Sequence, residues 1–234
     1  MFARIVDFET TGTPEDESPE VIEMAYYDVH IEDREIAADR CYQSLCRPRL
    51  PIPAVARAVH HISDNDVQQA PEARDLWDEF LGARYQGDAL PAYLVAHNAK
   101  FEQHFTPDVG IPWICTYRVA RIVWPDAPGH SNQVLRYWLA LPCDDERAQP
   151  PHRALPDAYV TAWLFIELLK HKTPDEMVVI SRYPALIKTM NFGKHKGTTF
   201  EAAPIDYLEW IRDKSDLNED TKFSARYWIQ KRTR

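Results

Sequence analysis

The chain has 234 residues, and 45% of them are apolar, which is a globular composition rather than a disordered one. No segment approaches the roughly 20 uncharged apolar residues that cross a bilayer, and acidic residues follow the N-terminus too soon for a secretory leader. The formal charge of −9 argues against a protein that coats nucleic acid non-specifically. We therefore expect a cytoplasmic globular protein that makes no membrane contact.

The first third of the chain predicts three strands followed by a helical segment. Runs rich in Val, Ile, Tyr and Cys predict strands over residues 2–8, 21–30 and 40–47. Helical spacing continues over residues 53–84, with breaks at Ser63 and at Pro71. Each break offers a capping residue or a proline that can start a new helix.

Strand and helix patterns alternate in the rest of the chain. They predict strands at 93–97 and 113–115, helices at 99–105, after 115 and at 154–169, and a loop at 142–151. From about residue 172 we expect a helix, a small hairpin at 191–197 and two further helices. This order predicts an α/β domain with a mixed sheet over residues 1–172, followed by a tail module over residues 173–234.

The first chemical signal is a pair of acids, Asp7 and Glu9, at the end of the first strand. Strand side chains alternate with period two, so these carboxylates point to the same face of the sheet. They would repel each other in an empty site and are favoured when divalent cations lie between them. For an isolated Asp-x-Glu, two solvated acids at a strand end are the commoner explanation.

A second signal follows the fourth predicted strand, where His97 and Asn98 precede Glu102 on the next helix. In an open α/β sheet, ligands gather beyond the carboxyl ends of the strands, where Asp7 and Glu9 also lie. Taken alone, this segment is more simply a helix cap followed by a first-turn acid that the helix dipole favours.

The third signal is His152, at the edge of a loop, followed by Asp157 one turn into the longest predicted helix. The helix would hold the aspartate in a fixed position while the histidine approaches the same point from the loop. A lone histidine is more often a surface residue than a catalyst, so the spacing is informative only together with the other two signals.

The three segments in this order resemble the histidine subtype of the DEDD 3′→5′ exonuclease superfamily, and within it the exonuclease X group. The likeness extends into the tail, through the Phe-Gly-Lys-His-Lys-Gly motif at 192–197 and the Tyr-Leu-Glu-Trp motif at 207–210. The resemblance implies a ribonuclease H-like (DnaQ-like exonuclease) fold, with a mixed five-stranded sheet flanked by helices and a small α+β tail module.

The same resemblance implies two Mg²⁺ ions held by four carboxylates, with Mn²⁺ as a substitute. It assigns Asp7, Glu9 and Asp157 as metal ligands and His152 as the general base. The third acid of the family is nearly always aspartate, whereas this chain has Glu102. One extra methylene adds about 1.5 Å of reach. We expect Glu102 to contact the second cation after a rotamer change or through water, with weaker Mg²⁺ binding or a preference for Mn²⁺.

The resemblance also places residues around the terminal nucleotide of the substrate. The predicted substrate-binding residues are Phe8, Thr10, Thr11, His97, Asn98 and Phe101. Aromatic rings can stack on any base, although core packing is an equal alternative for the two phenylalanines. Three tail lysines are candidates for upstream phosphates, with a solvated hairpin as the alternative: Lys188, Lys194 and Lys196.

The predicted function is removal of nucleotides, one at a time, from the 3′ ends of single-stranded DNA or 3′ overhangs. An exoribonuclease is the alternative within the same class, because the sequence does not reveal contacts to a 2′-hydroxyl. The alternative outside the nuclease class is a nucleic-acid-binding module that has lost its activity. In that case Glu102, in place of the usual aspartate, would be the sign of the loss. A polymerase proofreading subunit is a weaker alternative, since no tethering segment is apparent.

Overall fold

The computed structural model describes residues 1–82, 90–190 and 192–233. Its strands are β1 (Phe2–Thr10), β2 (Val21–His30), β3 (Glu35–Leu45), β4 (Tyr93–Ala96) and β5 (Trp113–Cys115). They form one sheet in the order β3-β2-β1-β4-β5, with β1 at its centre. Strands β1, β2 and β3 form an antiparallel meander, whereas β4 and β5 run parallel to β1. The predicted mixed five-stranded sheet is confirmed.

Helices surround this sheet and continue into the tail. The first six are α1 (Ala54–His60), α2 (Asp64–Val67), α3 (Ala73–Leu81), α4 (Ala99–Phe105), α5 (Thr116–Val123) and α6 (Asn132–Trp138). The others are α7 (Ala154–Leu168), α8 (Pro174–Ser181), α9 (Ile205–Lys214) and α10 (Glu219–Arg232). None of the helices in the described part of the chain combines the length and apolarity that a membrane span requires.

The two faces of β1 pack against different helices. Ala3 and Ile5 belong to the core cluster that contains the buried residues of α7. Val6 and Phe8 belong to a second cluster on the opposite face, which includes Phe80 of α3. Because strand side chains alternate, Asp7 and Glu9 continue the face of Ala3 and Ile5. The acids therefore point toward α7, the helix that carries Asp157.

Close packing of α7 on the sheet follows from its small side chains. Ala154, Ala158 and Ala162 recur every fourth residue, so they lie on one face of the helix, and all three are fully buried. This helix packs against β2 and β1. The stripe of methyl groups lets the helix backbone approach the strands, which brings the first turn of α7 to the carboxyl end of β1.

Some predicted boundaries were wrong. Strand β3 begins at Glu35 rather than at residue 40, because Glu35 and Ile36 pair with the end of β2 across a tight turn. The helical segment ends at Leu81 in the described residues, and the predicted end near Arg84 lies outside them. The hairpin predicted around 191–197 is closed by an antiparallel bridge between Thr189 and Thr199, where the N–H of Met190 donates to the carbonyl of Thr198. Asn191 lies outside the described residues.

The tail has a hydrophobic cluster of its own. It is built from buried residues between α8 and the end of α10, including Ile187, Phe200, Leu208 and Ile229. Helices α9 and α10 pack against each other, while α8 packs on β5 and α5 of the sheet domain. The division into domains at residue 172 stays a prediction.

Candidate active site

Three of the predicted metal ligands lie together at the carboxyl end of β1. Asp7, Glu9 and Asp157 each offer an oxygen atom, and these atoms lie within 4.8 Å of one another. The alternation of β1 supplies the first two carboxylates, and the first turn of α7 supplies the third. Carboxylate oxygens in this number and spacing are the ligand type that Mg²⁺ and Mn²⁺ prefer. The residues present therefore fit a divalent-cation site.

Burial and mutual repulsion raise the pKa values of these acids. Burial raises the pKa of Asp7 well above its ordinary value, and the charges of Asp157 and Glu9 add to the effect. The pKa of Glu9 is raised to about 8 by burial and by the charge of Asp157. Burial also raises the pKa of Asp157. A bound cation favours the ionised form of the carboxylates. Metal binding therefore releases protons from the cluster and becomes stronger as the pH rises.

These pKa values predict that the metal-free protein loses stability as the pH rises from about 6.5 to about 8. Over this range, folded Glu9 holds a proton that the unfolded chain has released at its ordinary pKa of 4.5. Raising the pH therefore favours unfolding. The buried imidazole of His97 has a lowered pKa of about 4 and titrates in the opposite sense, but below pH 6.5.

Thermal unfolding in EDTA and in Mg²⁺, followed by circular dichroism across this pH range, tests the prediction. The melting temperature should fall with pH in EDTA, and Mg²⁺ should raise it most at the upper end. Glu9→Gln should make the dependence in EDTA less steep, and the raised pKa values of Asp7 and Glu102 should maintain the rest of it. A melting temperature in EDTA that rises with pH would contradict the assignment.

Glu102 lies beside this cluster but not within the group of three. The residue is on α4 and is 5% exposed, and its Oε2 atom has no hydrogen-bond partner. Burial, and then the charge of Glu9, raises its pKa to about 8. Its own charge contributes to the raised pKa of Asp7. An unpartnered buried carboxylate oxygen is costly unless a cation or water satisfies it. The role of Glu102 as the fourth metal ligand stays a prediction.

His152 is held next to Asp157 by its backbone. The N–H group of His152 donates to Oδ2 of Asp157 at 2.8 Å, and the residue has a positive φ of 60°. This hydrogen bond opposes the effect of burial on the pKa of Asp157. Histidine tolerates the left-handed region better than most residues. The loop conformation therefore places the backbone of the exposed residue His152 at the edge of the carboxylate cluster, where its charge acts on Asp157.

A further buried acid, Glu23, anchors the segment between His152 and α7, and sequence reasoning missed it. It lies opposite Glu9 in the β1–β2 register and is fully buried. Its carboxylate accepts hydrogen bonds from Nε and Nη2 of Arg153 at 2.9 and 2.6 Å, and from the backbone N–H of Ala154 at 3.0 Å. Gln43 donates to the same carboxylate at 2.8 Å.

These contacts keep Glu23 ionised. Burial raises its pKa, but the hydrogen bonds from Arg153 and Ala154 outweigh burial, and the net pKa is lowered. The available sequence signal was an acid in the apolar run 21–30. Only the strand register shows that this acid faces α7. Glu23 is therefore a positioning residue for the loop that carries His152.

Glu23→Gln should lower the free energy of unfolding by about 2 kcal/mol, because Arg153 loses its charged partner. The matched control is Glu20→Gln, since Glu20 pairs with the largely exposed Arg49. That control should cost under about 1 kcal/mol. Urea unfolding measures both effects. Equal losses in the two variants would show that the buried pair has no special role.

A cavity of about 660 Å³ lies between α4 and the tail. His97, Asn98 and Phe101 line it from the sheet domain, and the start of α10 lines it with Asn218 and Glu219. Three predicted substrate-binding residues are thus brought to one cavity. Asn98 is exposed, and the ring of Phe101 packs at 5.1 Å against that of Phe105, which leaves Phe101 half-buried.

The ring of His97 is fully engaged by the protein. Its Nε2 atom lies 2.7 Å from the carbonyl oxygen of His130, which can only accept, so Nε2 carries the proton. Its Nδ1 atom then accepts from the hydroxyl of Thr116 at 3.0 Å. Burial lowers the pKa of His97 to about 4, so the ring is neutral. His97 therefore fixes the cavity wall, and its substrate role stays a prediction.

The other predicted substrate residues are also tied into the fold. The ring of Phe8 is 4% exposed and packs at 5.6 Å against both Trp77 and Phe80. Only the backbone of Phe8 is left to contact a substrate, because its ring completes the core on the α3 face. The hydroxyl of Thr10 donates to the carbonyl of Gly12, and that of Thr11 accepts from Glu20 N–H. Both threonines thus shape the turn after β1.

Comparison with known proteins identifies relatives of this chain. The RNase_T family model, described as an exonuclease, matches residues 5–165. Exodeoxyribonuclease 10 of Escherichia coli strain K12 is 30% identical over 97% of this chain and 98% of its own length. A DNA polymerase III subunit epsilon-like protein of Rhodobacter capsulatus is 31% identical over 70% of this chain and 23% of its own length.

Solved structures show the same architecture. Exonuclease X in complex with 5′-overhanging duplex DNA superimposes with a TM-score of 0.63 at 32% identity, covering 76% of this chain and 99% of that one. The nuclease domain of 3′hExo, a DEDDh family member bound to rAMP, gives a TM-score of 0.58 at 18% identity. The superposition covers 72% of this chain and 92% of that one. The second likeness supports the fold alone. The chain belongs to the RNase_T exonuclease family, and it is an exonuclease with a ribonuclease H-like fold.

Proposed function

We propose that the protein hydrolyses the terminal phosphodiester at the 3′ end of single-stranded DNA or a 3′ overhang and releases nucleoside 5′-monophosphates. The observation that carries the proposal is the convergence of Asp7, Glu9 and Asp157 beside His152. A relative that matches nearly the whole chain is named an exodeoxyribonuclease, which favours DNA over RNA.

The cations in this proposal are two Mg²⁺ ions. Asp7, Glu9 and Asp157 would hold them, with Glu102 as the fourth ligand. When bound, the ions supply activation of a water molecule and neutralisation of charge that develops on the leaving 3′-oxygen. The longer side chain of Glu102 would disturb the strict octahedral geometry that Mg²⁺ requires. Mn²⁺ should therefore support activity at lower concentration than Mg²⁺.

The chain's own residues would handle the proton and the substrate end. His152 is the general base, because histidine is the commonest residue in that role and the backbone of His152 is bound to Asp157 of the cluster. Asp157 fixes that loop through the His152 N–H bond, and Glu23 fixes its other side through Arg153. Asn98 and Phe101 offer an amide and a ring to the terminal nucleotide within the cavity.

Digestion of matched 5′-labelled DNA and RNA oligonucleotides, with Mg²⁺, Mn²⁺ or EDTA, tests the proposal. We expect a ladder that shortens from the 3′ end of DNA, release of 5′-mononucleotides, and no product in EDTA. Faster digestion of RNA would establish the exoribonuclease alternative. Metal-insensitive binding without product, unchanged in Asp7→Ala, would establish an inactive binding module.

A further inference from the structure

The tail presents a basic loop next to an exposed indole, and neither belongs to the carboxylate cluster. Residues 186–234 hold ten Lys and Arg against seven Asp and Glu, a net charge of +3, although the whole chain carries −9. Lys194 and Lys196 are exposed on the loop, and Trp210 of α9 is 44% exposed. A locally positive surface with a free aromatic face is unusual on so acidic a chain.

Tyr207 joins these groups into one rigid surface. The indole of Trp210 stacks on the Tyr207 ring with centroids 5.5 Å apart and planes 16° apart. The Lys194 ammonium lies 5.2 Å from the centroid of the same ring, and the imidazole of His195 lies 4.5 Å from it. We define the tail platform as Lys194, His195, Lys196, Tyr207 and Trp210.

Glycine sets the conformation of the loop in the tail platform. Gly193 and Gly197 have positive φ values of 62° and 88°, a conformation that other residues rarely adopt. A Cβ atom at Gly193 would overlap the hydroxyl of Tyr207. The backbone therefore packs directly on Tyr207 and turns the two lysines outward. The indole of Trp210 is already held against Tyr207, so a stacking base would not have to order it first. This lowers the entropic cost of binding.

The platform is connected to the cavity on two sides. At the base of the loop, Lys188 forms an ion pair with Asp126, in the loop that follows α5. Farther along that loop, the carbonyl of His130 accepts from His97, and Ser131 lines the cavity. On the other side, α9 packs against α10, whose first turn lines the cavity. The tail platform therefore has a fixed position relative to the cavity.

We propose that the tail platform binds the single strand of nucleic acid upstream of the 3′ end that enters the cavity. Trp210 stacks on a base, which every nucleotide offers, and Lys194 and Lys196 contact phosphates. This inference rests on the proposed function for the orientation of the strand. It gives the tail a role in holding long substrates while the carboxylate cluster acts on the terminal nucleotide.

Binding of labelled oligo(dT) of 3 and 20 nucleotides in EDTA tests the platform without digestion. The variants are Trp210→Ala and the double variant Lys194→Ala/Lys196→Ala. Trp210→Ala should weaken binding of the 20-mer about 10-fold, in keeping with the cost of removing one stacked base. The lysine pair should weaken it about as much, through the loss of two phosphate contacts. Both variants should leave binding of the 3-mer within about 2-fold of wild type. The lysine pair should also lower the salt slope for the 20-mer by about 1.4, at about 0.7 per single-strand phosphate.

Three controls separate a contact from a folding defect. Trp210→Phe should restore most of the affinity, because it keeps an aromatic face. Lys170→Ala/Lys172→Ala removes the same charge at the far end of α7, about 22 Å from its start, and should leave binding unchanged. Turnover of the 3-mer in Mg²⁺ should be equal in all variants.

Unchanged 20-mer affinity in both platform variants would overturn the inference, and so would equal losses for the 3-mer and the 20-mer. Failure of the proposed function would look different. The wild-type protein would then bind both oligonucleotides but release no mononucleotide in Mg²⁺, and the comparison of affinities would still decide whether the platform binds.

Discussion

Asp7→Asn should lower kcat by about 10³-fold or more while the protein stays folded. Asp7 is central to the carboxylate cluster, and its replacement removes one anionic ligand from the cation site. Loss of a bound cation removes several kcal/mol of transition-state stabilisation, which corresponds to a rate effect of this size. Initial rates on a 3′-labelled oligonucleotide at saturating Mg²⁺ measure the loss.

The same substitution should stabilise the metal-free protein. Burial and the charges of Asp157 and Glu9 raise the pKa of Asp7, so its neutral form is favoured in the folded chain. An amide provides that neutral form at every pH. The melting temperature in EDTA at pH 8 should therefore rise, whereas Mg²⁺ should no longer raise it further. Asp39→Asn, at an exposed position on β3, should change neither quantity. Full activity in Asp7→Asn would refute the cluster as the catalytic centre.

His152→Ala should lower kcat by about 10²- to 10⁴-fold and leave the dissociation constant for DNA nearly unchanged, because general-base catalysis contributes an effect of this size. The backbone bond from residue 152 to Asp157 does not need the imidazole. Alanine is less tolerant of the φ of 60° at this position, at a cost of about 1 kcal/mol. His152→Asn accepts that backbone conformation and removes only the base.

Both variants should lose activity to a similar extent, and exogenous imidazole should restore part of it in His152→Ala. The dissociation constant is measured in EDTA to prevent digestion. If His152→Asn kept a near wild-type rate, another group would accept the proton. If both variants lost binding as strongly as turnover, the role of His152 would be in the substrate site.

Much of the site follows from local sequence rules. The alternation of β1 predicts that Asp7 and Glu9 share a face, and the position of Asp157 in the first turn of a long helix predicts a rigid ligand. The five strands are recognisable because their apolar runs are bounded by turn residues. These features depend on residues near each other in the chain, which is why periodicity is sufficient.

Features that depend on tertiary contacts were not accessible in the same way. In the sequence, Glu23 is only an acid within an apolar strand. The register with β1 places it opposite Glu9, and the tertiary fold pairs it with Arg153. Phe8 is equally compatible with stacking on a base and with core packing, and only α3 supplies the aromatic partners that bury it. The tail hairpin carries exposed lysines, and the sequence does not show that its two glycines let it pack on Tyr207.

Three carboxylates from β1 and α7 should share divalent cations beside His152. A crystal structure with Mn²⁺ and a nucleoside 5′-monophosphate, in which anomalous scattering locates the metal, tests this arrangement. We expect Mn²⁺ peaks coordinated by Asp7, Glu9 and Asp157 at about 2 Å from their oxygens, with the nucleotide phosphate bound to the metal. A well-ordered structure in which Glu9 and Asp157 bind no common ion, and in which Mn²⁺ lies elsewhere, would contradict the account.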